Sequence, residues 1–189
     1  MALPAAALLL AALVTPVNAA AVSIQVQDNK FDPAVTPASV GQTVVWASAA
    51  STNDLHNVRE DHKIFYSGRP YEIDFTFKRV FSAGTFGYFC ERHGFRGGGM
   101  DGTVRVPVKL ARAGAGDVTV VWATDASNTG TKFTVQYRIG SGSWRPWKSA
   151  VSARKATFPG KPGTRYAFRA KSLKGTAASA WSPVASITS

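Results

Sequence analysis

From Val22 the chain alternates strictly: Val22, Ile24 and Val26 fall on one face, Ser23, Gln25 and Gln27 on the other. This two-residue period predicts a half-buried strand. Runs of the same kind recur at Thr43 to Trp46, Asp74 to Phe77, Thr85 to Phe89 and Val104 to Val108, each rich in β-branched or aromatic residues and bounded by turn formers. In the second half they are Asp117 to Trp122, Lys132 to Arg138, Trp144 to Lys148, Ala153 to Phe158, Arg165 to Lys171 and Ser179 to Ile187. No stretch carries the apolar period of about 3.6 residues that a helix needs. Many short strands with frequent turn signals predict an all-β chain built of antiparallel sandwiches or barrels.

Between the two sets of strands lies Lys109 to Gly116, which contains Ala113-Gly114-Ala115-Gly116. It is too short to be a long flexible tether, so two β domains, 20–110 and 111–189, are expected to lie close together. Ahead of them, the apolar run Ala5 to Val14, the break at Pro16 and the small residues Val17-Asn18-Ala19 read as a signal peptide cleaved after Ala19. A run bracketed by Pro4 and Pro16 falls short of the roughly 20 apolar residues of a spanning helix. The expectation is an exported chain, periplasmic or extracellular, with no membrane span once mature.

Charge divides the chain as the pattern does. Of the net +11, little belongs to 20–110, where ten Lys/Arg meet nine acids; in 111–189 twelve meet two, Asp117 and Asp125. The second half therefore suits an anionic partner, either an acidic cell-envelope polymer or an acidic protein. Nucleic acid is not expected for an exported chain.

A single cysteine, Cys90, cannot form an internal disulfide, which leaves it buried and inert, paired between chains, or bound to metal. Cys90-Glu91-Arg92-His93 places a thiolate and an imidazole close together, Met100 follows across a stretch with three consecutive glycines, and His56 supplies a second imidazole from earlier in the chain. Two His and one Cys with a weak axial Met make the pattern of a mononuclear electron-transfer copper. Zinc accepts two His and one Cys as well, but the thioether favours copper, which is soft as Cu(I). His62, in the charged run Arg59 to Lys63, reads as a solvated loop residue.

The residues from Val22 to Val108 resemble the plastocyanin/azurin family of blue copper proteins, the cupredoxins. The likeness is carried by Phe31-Asp32-Pro33, Val40-Gly41-Gln42-Thr43-Val44-Val45-Trp46, His56-Asn57-Val58, Phe81 to Cys90 and Gly99-Met100-Asp101-Gly102-Thr103-Val104. It implies a Greek-key β-sandwich and one type 1 copper ion held by His56, Cys90, His93 and Met100, with Asn57 bracing the ligand segment. Phe86, Tyr88 and Cys90 share one strand face, which turns the thiolate inward. Four protein ligands leave no open position for a substrate, and no acid–base or nucleophile set lies nearby, so an electron carrier between protein donor and acceptor is expected rather than an enzyme. Copper storage or delivery, and an adhesion role with structural copper, are the alternatives. Phe95 and the glycine stretch, rimmed by Arg59, Arg92 and Arg96, are the expected docking face.

In the second half, Gly163 to Lys171, with Tyr166 at a tyrosine-corner position, Trp122, and Ala180-Trp181-Ser182-Pro183 resemble a fibronectin type III domain. A second β-sandwich follows from that resemblance, its first strand short or drawn from 106–112. Strand parity sets Arg165, Arg169 and Lys171 on the outer face, where Trp181 and either Trp144 or Trp147 can stack between the cations.

Overall fold

The computed structural model describes residues 20–50, 52–70, 74–127 and 130–189. The expected signal peptide, 1–19, lies outside them. The fold class is all-β, with no helix among the described residues.

The first half contains β1 (Val22–Gln27), β2 (Lys30–Asp32), β3 (Val35–Pro37), β4 (Thr43–Ser48), β5 (Arg59–Glu60), β6 (Thr76–Val80), β7 (Gly84–Phe95) and β8 (Gly98–Val106). They form two four-stranded sheets, ordered β2-β1-β4-β6 and β3-β8-β7-β5. β1 runs parallel to β4 and β3 parallel to β8; the other pairs are antiparallel. The alternation read from Val22 is realised: Ile24 and Val26 are fully buried and join Trp46, Phe81, Phe86 and Tyr88 in one core. Trp46 sits at its centre, 5.3 Å from the Tyr88 ring and 5.5 Å from Phe77. Burial of each such side chain contributes about 1.5–3 kcal/mol.

The second half contains β9 (Lys109–Arg112), β10 (Val118–Val121), β11 (Lys132–Ile139), β12 (Arg145–Val151), β13 (Lys155–Phe158), β14 (Arg165–Lys174), β15 (Ala177–Ala178) and β16 (Ala185–Thr188). One sheet runs β13-β10-β9; the other runs β12-β11-β14, with β15 and β16 both paired to β14. Between them Val118, Val120, Trp122, Phe133, Val135 and Phe168 make a second core, every one fully buried. At its edge the Tyr166 hydroxyl accepts a 2.9 Å hydrogen bond from the backbone N–H of Lys161. β9 straddles position 110, pairing Leu110 with Val120 and Ala111 with Thr119.

The two halves meet through buried polar contacts. Ala83 N–H donates to the Trp122 carbonyl at 2.7 Å, and Thr85 and Ala180 exchange two backbone hydrogen bonds at 3.1 Å. Ser172 Oγ donates to the Ala83 carbonyl at 3.0 Å and lies 2.8 Å from Ser82 Oγ. Gly41, at φ 83°, comes so close that an added Cβ would fall 2.6 Å from the Thr124 methyl. Buried hydrogen bonds of this kind fix one relative placement, because leaving either partner unpaired costs about 1–3 kcal/mol.

The glycine stretch after His93 forms the end of a hairpin: Gly94 pairs with Gly99 and Phe95 with Gly98. Gly99 permits it, since at φ 69° an added Cβ would stand 2.6 Å from the His93 carbonyl oxygen.

Candidate metal centre

Strand β7 brings two of the donors together by breaking its own register. From the pair Phe89–Asp101 to the pair Gly94–Gly99 it advances five residues while β8 advances two. The three extra residues form a bulge within Cys90 to His93, and bulges re-aim side chains in this way. As a result Cys90 and His93 face one point although they are three residues apart. His56 reaches the same point from the segment between β4 and β5.

The donor atoms converge. His56 Nδ1 and His93 Nδ1 each lie 3.7 Å from Cys90 Sγ, and the three donors lie within 4.8 Å of one another. Two ligands at about 2.3 Å (sulfur) and about 2.0 Å (nitrogen) from one ion, set about 120° apart, stand about 3.8 Å from each other, so the spacing fits a shared metal in a near-trigonal plane. Cys90 and His56 are buried; His93 keeps its side chain 14% exposed, which makes it the donor nearest solvent. Met100, the fourth expected ligand, is buried at the start of β8 in the same core as Cys90.

With both Nδ1 atoms facing the sulfur, both Nε2 atoms face carboxylates. Asp54 Oδ2 lies 3.0 Å from His93 Nε2, and Asp54 Oδ1 accepts from Arg92 Nε at 2.8 Å. Asp28 stands 3.8 Å from His56 Nε2, a buried atom with no hydrogen-bond partner. A carboxylate on the far nitrogen fixes an imidazole's tautomer and raises its strength as a ligand. The Asp54 carboxyl is held below its usual range, first by the Leu55 backbone N–H and then by His93 and Arg92. Burial, with the neighbouring His93, pushes the His56 imidazole down, so its neutral, metal-binding form is favoured.

Asn57, fully buried, ties the two ligand segments together. Its amide donates to the Gly68 carbonyl and to Glu91 Oε2, and its carbonyl accepts from Glu91 N–H, all at 2.8 Å. Glu91 also accepts from the Tyr66 hydroxyl at 2.8 Å and pairs with Arg59. Burial alone would raise the Glu91 carboxyl, but hydrogen bonds from Tyr66, Asn57 and Arg59 together hold it below its usual value. The bracing expected of Asn57 thus acts on the residue after the thiolate.

All three rim arginines are engaged: Arg59 with Glu91, Arg92 with Asp54, and Arg96 with His62 Nε2 at 2.8 Å. His62 is therefore no free loop residue; its Nδ1 lies 3.5 Å from the buried carboxylate of Glu60. Phe95, 67% exposed, is the large apolar side chain at the hairpin end, and Tyr66, also exposed, is tied to Glu91 beside the thiol. Asp28, Asp54 and Glu91 contact the donor residues or their brace and were not singled out in the sequence. Asp54 carried a weak signal, two residues from His56, but that spacing misleads, because it serves His93.

No family model matches the chain, and no curated protein does. Among solved structures it is similar to a reduced Cu(I) form of an amicyanin mutant, at 24% identity over 46% of this chain and 81% of that one, TM-score 0.38. A purple cupredoxin from Nitrosopumilus maritimus matches at 24% over 45% of this chain and 98% of that one, TM-score 0.38. A structure described as a myokine matches at 13% over 45% and 96%, also at 0.38. At these scores the likenesses carry no weight beside the strand register and the donor geometry.

Proposed function

We propose that the chain is an exported type 1 copper protein that passes single electrons between protein partners, its first half a cupredoxin-like domain and its second a basic fibronectin type III-like module for binding. The observation that carries the reading is the convergence of two imidazole Nδ1 atoms on one buried thiol at 3.7 Å, with carboxylates facing both opposite nitrogens. One copper ion bound there would supply one-electron chemistry, Cu(I) to Cu(II), with no bond made or broken. The chain's own residues do the rest. Cys90 and His56 are shut away from water, Asn57 and Glu91 lock the two ligand segments to one another, and Met100, buried in the same core as Cys90, is the thioether we assign as the fourth ligand. A site held this stiffly changes little between two oxidation states, which favours rapid transfer. His93, with Phe95 beside it, offers the shortest path to a partner at the surface. The fibronectin-like reading rests on the two packed sheets and on the Tyr166–Lys161 hydrogen bond, a tyrosine-corner contact.

A reductive titration of the copper-loaded chain tests this. Uptake and return of one electron per chain, with the metal retained throughout, is the expected result. Release of the metal on reduction would instead favour delivery, and a redox-silent complex a structural ion.

A further inference from the structure

On the outer face of the second half, β11 and β14 carry a continuous stack of cations and indoles. Arg138 lies 4.7 Å from the Trp144 ring and Arg169 4.3 Å from the same ring; Arg169 also lies 4.5 Å from Trp181, and Lys171 5.1 Å from Trp181. Arg169 is further fixed by Nε and Nη2 hydrogen bonds to Gln136 Oε1, at 3.0 and 2.7 Å. Trp147 takes no part: it points into the core against Phe158 and Phe168.

Stacking holds these cations in place without neutralising them. Among the described residues none of Arg138, Arg165, Arg169 and Lys171 forms an ion pair, and of the two acids in this half Asp125 is already paired with Arg154. Arg138 Nε is buried with no hydrogen-bond acceptor. Burial, and then the neighbouring Arg138, lower the pKa of Arg169, as expected where like charges face each other without an anion. Where the row ends, Arg138 and Arg165 line a depression of about 320 Å³ together with Gly140, Ser141 and Ser186.

We propose that this face binds a linear polyol-phosphate polymer, one phosphate per outward cation. The register sets the repeat. Arg165, Arg169 and Lys171 occupy outward positions of β14, and Arg138 on β11 lies opposite Ala167, so each outward level carries one cation, about 7 Å apart along the strand, with Arg138 set about 5 Å to the side on the neighbouring strand. Two residues of strand contain six backbone bonds, the same number that separates neighbouring phosphates bridged by a three-carbon polyol. Guanidinium N–H groups fit tetrahedral oxyanions in paired hydrogen bonds. Single-stranded nucleic acid shares that backbone repeat, but it holds to proteins by stacking its bases on aromatic rings, and both indoles here are already shared by two cations each. The site is independent of the metal centre.

The test titrates a synthetic glycerol-phosphate oligomer, a deoxythymidine oligomer and poly-glutamate into the full copper-loaded chain, following tryptophan fluorescence at several salt concentrations. Two double variants lose the same charge: Arg138→Gln with Lys171→Gln on the row, and Lys155→Gln with Lys161→Gln away from it. A third, Arg138→Lys with Lys171→Gln, keeps more of the stack and guards against loss of fold, which a thermal melt reports directly. The glycerol-phosphate oligomer is expected to bind most tightly. The row variant should lose at least about tenfold in affinity and about 0.7 of the salt slope per lost contact, the control staying within about twofold. Equal losses in both doubles, tighter binding of either other polymer, or no binding at low salt would overturn the proposal.

Discussion

The two halves use one architecture for opposite electrostatic ends. In the first, nearly neutral half, polar groups are spent on pairing: Asp54 with His93 and Arg92, Glu91 with Arg59, Tyr66 and Asn57. In the second, with twelve cations against two acids, Arg138, Arg169 and Lys171 are held by indole rings and left without counter-charge. A paired network holds a fixed inward geometry, as a metal centre requires; an unpaired array stays available to something outside. The division extends to the glycines and serines at the junction, where buried hydrogen bonds keep two differently charged sandwiches in one arrangement.

That contrast can be broken from either side, and the largest effect should come from the thiolate. Cys90→Ser is expected to abolish tight copper binding in a metal-competition titration while leaving polyanion binding by the second half intact; loss of both would show that the halves are not separate in function. Next in size is Trp122→Ala, which empties a fully buried site in the second core and should cost about 3–5 kcal/mol in denaturant unfolding. The copper spectrum should persist wherever the first core stays folded. Asp54→Asn is smaller. Removing the carboxylate that orients His93 should weaken copper affinity about 10–100-fold without changing the fold, and an unchanged affinity would deny Asp54 its positioning role. Smallest is a pH effect on the metal-free chain. Burial lowers the His56 pKa in the fold below the ordinary 6.5 of a histidine, so the unfolded chain binds more protons between the two values. Stability is therefore full above about pH 6.5 and falls as pH drops below it, a trend that melts at stepped pH should show and that His56→Gln should reduce.

The strand pattern was legible because burial alternates with a period of two wherever one sheet face is covered. It gave β1, β4 and the inward set Phe86, Tyr88 and Cys90 almost residue for residue. Strands that pair without much apolar content, such as β5 and β9, left no such trace. Four donors were named from residue type and spacing; the two imidazoles and the thiol meet in space, and Met100 is buried in the same core. The bulge that turns Cys90 and His93 to one point was not visible, since backbone register depends on the partner strand rather than on local sequence. For the same reason the hairpin end formed by the glycines after His93, which lets β7 and β8 close, was not visible either. The partners of Asp28 and Asp54 were beyond reach because a carboxylate's partner across the fold leaves no periodic signal.

A thiolate-bound copper centre of the electron-transfer kind would declare itself in the visible spectrum of the chain loaded with Cu(II). An intense thiolate-to-copper charge-transfer band that bleaches on one-electron reduction and returns on oxidation, absent in Cys90→Ser and retained but shifted in Met100→Leu, is the predicted result. A colourless Cu(II) complex, or a band that survives loss of Cys90, would contradict it.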